Sequence, residues 1–270
     1  MKNKRRWLAG PYLVWVIGFI ILPLITILYF AFTRADGSFT VENFLAVFKD
    51  EYTLKALGIS LQVAAISTAL CLILAYPLAI SLNNLKLKRK SFIVYLFILP
   101  IWLNFMLQMV SITILIEDNG VLNHLLGLLG LPALKLMSTK AAIIVGMIYD
   151  YFPFMLLPIY NSIADIDRGL IDASMDLGAN SFTTFRKVIL PLSLKGVLSG
   201  ITMVFIPGIS DFAIAEMLGG GKVLLIGNIV ESDFTKGYYN AGSGLAMVLM
   251  LFVLLSIALS DRKDGAANEK

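Results

Sequence analysis

The stretch Trp7–Thr33, WLAGPYLVWVIGFIILPLITILYFAFT, runs for 27 residues without a charged side chain. A helix crossing the hydrocarbon core of a bilayer needs about 20 mostly apolar residues, whereas the apolar core of a cleavable secretory signal has about 7–15. The basic start, Lys2, Lys4, Arg5 and Arg6, would suit either. The length of the run and the lack of a small-residue cleavage site after it point to a retained first membrane span.

Five more runs of similar size follow. Gly58–Leu82, Ser91–Ile116 and Ala241–Ser260 are uncharged, Ala141–Ala164 holds Asp150, and Gly196–Leu218 holds Asp211 towards its end. The expectation is an all-α membrane protein: one transmembrane domain over residues 1–270, with spans near 7–33, 58–82, 91–116, 141–164, 196–218 and 241–260. Composition agrees, with 58% hydrophobic and 15% charged residues, where soluble domains carry about a quarter charged. Prolines inside the runs (Pro23, Pro77, Pro100, Pro153, Pro158, Pro207) would break soluble helices, but neighbouring spans and hydroxyl side chains can satisfy the freed backbone groups.

The net charge of +4 does not indicate nucleic acid, because the basic residues fall in short clusters between apolar runs. Cytoplasmic loops carry the excess of Lys and Arg. With the N-terminus inside, fifteen of the 22 lie on the cytoplasmic side, in the clusters Lys2–Arg6, Lys86–Lys90, Arg168, Arg186–Lys187, Lys195 and the tail from Arg262. Both termini are therefore expected in the cytoplasm. The outer segments hold nine acids, among them Asp36, Glu42, Asp50 and Glu51, against seven bases, a slight surplus that would attract cations. The single cysteine, Cys71, lies in an apolar run and reads as a small buried hydrophobe. The single histidine, His124, falls in an expected outer loop without partners. No metal-ligand or Ser–His–acid constellation appears, so no metal and no catalytic residue is expected in this chain.

Between the fourth and fifth runs lies a cytoplasmic stretch, residues 165–192, too long for a simple turn. Asp165 or Asp167 can cap a helix carrying Leu170, Ile171, Ala173, Ser174 and Leu177 on one face, and Gly178 is a natural stop. A second helix can start at Ser181 and run to Pro191. Two short helices about a glycine corner, lying along the membrane surface, would make a rigid knob suited to a groove on a partner. An interfacial amphipathic helix without a partner would give the same helical pattern.

The spacing distinguishes the two. Asp172-Ala173-Ser174, three residues, Gly178, nine residues, Val188-x-Leu190-Pro191 closely resembles the cytoplasmic signature of bacterial ABC-importer permeases, Glu-Ala-Ala, three residues, Gly, nine residues, Ile-x-Leu-Pro. Asp172, Ser174 and Val188 depart from it while preserving charge, small size and apolar branching. Pro153–Ile163 and Leu218–Asn228 are similar to the corresponding stretches of spermidine/putrescine permeases. The resemblance implies a type I importer permease fold in a bacterial inner membrane. Its implied partners are a cytoplasmic ABC ATPase dimer, a second permease, in this family a sister chain, and an extracytoplasmic substrate-binding protein. Asp172, Ala173, Ser174, Gly178, Val188, Leu190 and Pro191 would form the ATPase-coupling loop.

The chain has no Gly-x-x-x-x-Gly-Lys-Ser/Thr stretch, so it is expected to bind no nucleotide and carry no cofactor, with ATP used by the partner. Acids inside spans are costly and mark functional positions. Asp150 lies about nine residues into its span, roughly 14 Å from the outer end at about 1.5 Å per residue. Asp211 and Glu216 lie towards the outer mouth. With Trp102, Tyr149, Tyr151 and Phe212 they could line a path for a polycation, offering carboxylates and aromatic faces. The same machinery could carry iron(III), thiamine or an oxyanion. An ion-coupled carrier would want inverted repeats and have no need of the docking loop, and a membrane-embedded enzyme would want reactive residues clustered in the spans.

Overall fold

The computed structural model describes residues 10–34, 36–84 and 90–268. Lys2, Lys4, Arg5, Arg6, Lys86, Lys88, Arg89 and Lys270, used above for orientation, lie outside the described residues. Those residues form α1 (Gly10–Ala31), α2 (Glu42–Ala46), α3 (Glu51–Asn84), α4 (Lys90–Ile98), α5 (Phe105–Ile116) and α6 (Val121–Leu128). After them come α7 (Lys140–Ala164), α8 (Arg168–Asp176), α9 (Ser181–Ser210), α10 (Ala213–Gly219), α11 (Ile226–Thr235) and α12 (Tyr239–Asn268). Among the described residues the extended structure is confined to one isolated bridge, Thr33–Phe39. Six segments are long and apolar enough to cross a membrane: Gly10–Ala31, Glu51–Asn84, Phe105–Leu128, Lys140–Ala164, Ser181–Ser210 and Tyr239–Ala258. The protein is an all-α membrane protein. His124, expected in a loop, lies in α6.

Two of the apolar runs are not single helices. The run Ser91–Ile116 breaks after the 3₁₀ turn Leu99–Trp102. Pro100 has no N–H to donate, and Asn104 caps the new helix by accepting the N–H groups of Met106 and Leu107 at 2.9 and 3.3 Å. The buried Gln108 then donates through Nε2 to the carbonyls of Pro100 at 2.7 Å and Leu103 at 3.1 Å, tying the break to the new helix. The run Gly196–Leu218 differs at both ends. Its helix already starts at Ser181 and stops at Ser210, where Asp211 turns extended (φ −62°, ψ 132°), and α10 is a separate piece.

The chain forms two compact units, one of residues up to Ala56 with Ile229–Leu255, the other of Leu57–Asn228 with the residues from Ser256 on. In the larger unit α7 and α9 form the central pair. Helices in a bilayer gain little from hydrophobic burial against one another and associate through close backbone approach at small residues. Gly196 and Gly200, one turn apart on α9, supply that approach. A Cβ on Gly196 would strike the carbonyl oxygen of Pro158, and one on Gly200 would lie 2.8 Å from the Met155 sulfur. Gly146 of α7 similarly admits Ile214 and Leu218 of α10. Met147, Met155, Leu156, Ile159 and Cys71 are fully buried in the resulting core.

In the smaller unit two asparagines close the end of α1. Asn43 donates from Nδ2 to the carbonyls of Phe30, Ala31 and Thr33 at 3.3, 3.3 and 2.8 Å. Asn240 donates to Phe30 at 3.1 Å and Thr33 at 2.6 Å. Gly244 has no room for a side chain, since a Cβ there would sit 2.5 Å from the Asn43 carbonyl oxygen.

Candidate functional site

Two places in the larger unit concentrate polar chemistry. The first is the loop after α7. Asp165 ends α7, and Asp167 is the residue that caps α8, accepting the Gly169 N–H at 2.9 Å. Of the two aspartates left open by the sequence, the structure selects Asp167. At the other end of α8, Gly178 adopts φ +83°, its N–H bonds the Met175 carbonyl at 2.9 Å and the Ala179 N–H bonds the Ser174 carbonyl at 3.1 Å. This pair of bonds is a Schellman stop, which requires a left-handed residue. Asn180 then caps α9 by accepting the Thr183 N–H at 2.8 Å.

The second helix of the loop was expected to end at Pro191. Instead it continues into the fifth span. Residues Phe185–Ile189 form a π turn in which the Leu190 N–H bonds the Phe185 carbonyl. Pro191 can make no helical N–H bond, and the wider turn absorbs that loss without ending the helix. The loop is thus one short helix, α8, folded back on the first turns of α9, with the Ser174 and Thr184 hydroxyls joined at 3.0 Å. Its apolar residues face outward: Leu177 is 89% exposed and Phe182 70%. Between α8 and the π turn lies an open hollow of about 590 Å³ lined by Leu170, Ala173, Leu177, Asn180, Lys187 and Val188.

The second place is the break between α9 and α10. Asp211 accepts the Tyr151 hydroxyl on Oδ2 at 2.7 Å and the Ile214 N–H on Oδ1 at 2.8 Å. Asp150, half-buried on α7, lies within electrostatic reach of Asp211, so two carboxyl groups share this region. Asn228 ties the following segment onto the break. Its Nδ2 donates to the Phe212 carbonyl at 3.0 Å and to Glu216 at 3.4 Å, and its Oδ1 accepts the Leu225 N–H at 3.0 Å. Ser60 of α3 accepts the Ile226 N–H at 2.8 Å. A Cβ on Gly227 would sit 2.5 Å from the Ser210 carbonyl oxygen. Of the residues singled out in the sequence, Asp150, Tyr151 and Asp211 are brought together, with Glu216 joined through Asn228. Trp102 is 86% exposed, and Tyr149 and Phe212 are exposed as well.

Sequence reasoning missed Asn228, Ser60, Tyr76 and Ser193. Each is a polar group inside or beside an apolar run, a signal too common to single out a residue without its partner.

Residues 72–262 match the family model described as the binding-protein-dependent transport system inner membrane component. The chain is 33% identical over 266 residues to the spermidine/putrescine transport system permease protein PotB of Haemophilus influenzae, covering 95% of this chain and 92% of that protein. It is 32% identical to PotB of Escherichia coli, over 90% of this chain and 92% of that protein. Among solved structures, a bacterial alginate ABC transporter in complex with its alginate-bound periplasmic protein contains a chain that superposes with TM-score 0.81 at 15% identity, over 97% of this chain and 95% of its own. A chain of the MetNI methionine ABC transporter superposes with TM-score 0.58 at 23% identity, over 79% and 95%.

Proposed function

The chain belongs to the binding-protein-dependent transport system inner membrane component family and is the multi-pass permease subunit of an ABC importer, and we propose that its cargo is a polyamine such as spermidine or putrescine. The observation that carries the cargo class is the carboxyl pair Asp150 and Asp211 beside the interruption of α9, where Asp211 accepts the Tyr151 hydroxyl and Asp150 lies within electrostatic reach. The carboxyl end of a helix carries partial negative charge on its unpaired carbonyls. Asp211 stands at that end of α9, with Asp150 at mid-length of α7, and carboxylates so placed suit a cation. Both relatives named above are spermidine/putrescine permeases, which supports the same reading.

The partners are a cytoplasmic ABC ATPase dimer, which consumes the ATP, a related second permease chain and an extracytoplasmic binding protein. Both termini lie in the cytoplasm, which puts the loop 165–192 on the ATPase side. Closure of the ATPases moves this loop, through Asp172, Ala173, Ser174, Gly178, Val188, Leu190 and Pro191. The spans then expose the path alternately outward and inward. Asp150, Asp211 and Glu216 supply charge along that path, and Trp102, Tyr149, Tyr151 and Phe212 supply aromatic faces.

The test is ATP-dependent uptake of radiolabelled spermidine and putrescine, in cells lacking their own polyamine carriers, by this chain expressed with its co-encoded subunits. Gly178→Val, which forces a β-branched residue into the left-handed corner, serves as the uncoupled control. Uptake that disappears in the control supports cargo and coupling together. An assembled transporter that imports neither polyamine removes the cargo assignment.

A further inference from the structure

We infer that Tyr76 is a positioning residue of the coupling loop, holding the π turn that joins the loop to the fifth span and passing loop movement to the second span as well. The inference rests on the reading that residues 165–192 engage the ATPase.

The loop is mechanically divided at Phe185–Ile189. On its far side, α8 and the first turn of α9 form one body, because the Ser174 and Thr184 hydroxyls are joined at 3.0 Å and Thr184 is only 1% exposed. On its near side, α9 from Leu190 onward is locked against α7 through Gly196 and Gly200. Between them the helical ladder is widened by the π turn, and Pro191 withholds a donor. A helix interrupted in this way bends there before it bends elsewhere.

Tyr76 of α3 touches the first residue of this turn and the helix beyond it. Its ring meets the ring of Phe185 edge to face, with centroids 5.8 Å apart and planes at 84°. Its hydroxyl lies 2.6 Å from Oγ of Ser193, which is fully buried one turn beyond the π turn. Ser193 has one hydroxyl proton and donates it to the Leu190 carbonyl at 3.2 Å. That leaves Ser193 to accept and Tyr76 to donate. The residue after Tyr76 is Pro77, which deprives the carbonyl of Ile73 of its helical donor, so α3 too has a yielding point at this level. Tyr76 therefore fixes the angle between loop and span, and ties α3 to whatever angle the loop adopts. Movement of the loop reaches the α7–α9 pair along α9, and α3 through Tyr76.

The experiment uses the complete transporter in proteoliposomes. ATP hydrolysis is measured with and without ligand-loaded binding protein, alongside spermidine uptake, for the wild type, Tyr76→Phe, Ser193→Ala, their double variant and Tyr76→Leu. Tyr76→Phe keeps the ring and removes one hydrogen bond, and the expected result is a fall in cargo moved per ATP by a few-fold to about tenfold, the shift one hydrogen bond is worth. Ser193→Ala should match it and the double variant should add nothing further, while Tyr76→Leu, losing both contacts, should hydrolyse ATP with little dependence on the binding protein. Unchanged transport per ATP in Tyr76→Phe and Tyr76→Leu overturns the inference. So does a proportional loss of uptake and hydrolysis that tracks the amount of assembled complex, since that is a folding role only. If the wild type shows stimulated hydrolysis without polyamine uptake, the cargo assignment fails instead, and the ratio of stimulated to unstimulated hydrolysis decides the role of Tyr76.

Discussion

Gly178 allows the backbone of the loop 165–192 to be strained without touching anything else. Its φ is +83°, and a Cβ built on it meets no atom within 4 Å. A substitution there has no steric partner to push, so its whole effect is conformational. The left-handed region costs an L-residue about 1–2 kcal/mol, less for asparagine, whose short amide hydrogen-bonds locally, and more for a β-branched residue. The expected order of damage is therefore Gly178→Asn, then Gly178→Ala, then Gly178→Val. A cost of 1–2 kcal/mol shifts a two-state equilibrium by roughly 5–30-fold. The strain falls on the Schellman stop, where the Ala179 N–H is held by the Ser174 carbonyl at 3.1 Å. Amide exchange over Leu177–Ala179 in the assembled transporter should accelerate by about that factor in Gly178→Ala. Transport per ATP should decline in the same order across the three variants. The reasoning is refuted if valine exchanges and transports like glycine, or if asparagine is worse than alanine.

Three further outcomes follow from the packing and the polar contacts. Gly196→Ala drives a methyl into the Pro158 backbone, which cannot yield, whereas Gly200→Ala meets chiefly the flexible Met155 side chain; overpacking costs about 1–3 kcal/mol, so Gly196→Ala should lower the melting temperature of the detergent-solubilised transporter more than Gly200→Ala, and equal melting would contradict the close approach of α7 and α9. Asp211→Asn should raise the KM for spermidine uptake by at least about tenfold, as expected for a lost charge-assisted contact, while Tyr151→Phe, which removes one hydroxyl from Asp211, changes it only a few-fold; an unchanged KM in both would take the pair out of the path. Asn43→Ala and Asn240→Ala each leave the Thr33 carbonyl one remaining donor, so each alone should cost little. The double variant orphans the Thr33 oxygen, while Phe30 keeps the Thr33 N–H at 3.4 Å, and should cost more than the sum by on the order of 1–3 kcal/mol, measured by a double-mutant cycle in thermal stability; strict additivity would mean the Thr33 carbonyl finds another donor.

The two interrupted runs show where pattern reading stopped. From hydropathy, Ser91–Ile116 is one uncharged segment and Pro100 a tolerated kink, but Asn104 caps a new helix and Gln108 donates to the Pro100 and Leu103 carbonyls, and the run breaks there. At Pro191 the error had the opposite sign. A proline that ordinarily ends a helix was absorbed by a π turn, because α9 is held beyond it by α7 and beside it by Tyr76. The corner at Gly178 was legible because a left-handed stop favours one residue type and that residue was present. The role of Asn228 was not, since nothing local distinguishes an asparagine that closes three hydrogen bonds from one in an outer loop.

The sequence by itself determined the membrane, the six apolar helices, the glycine corner in the loop after the fourth span, and the family to which the chain belongs. These are properties of composition, of period and of a few fixed offsets, and the lack of water in a bilayer leaves such stretches no alternative to internal hydrogen bonding. Only the tertiary structure decided where the third and fifth runs break, which side chains close on Asp211, and what Tyr76 and Asn228 touch. Each of these depends on residues far apart in sequence: Asp211 is sixty positions from Tyr151, and Ser193 is 117 from Tyr76. A hydrogen bond of that separation leaves no local trace in the chain, because its geometry exists only once the helices have packed.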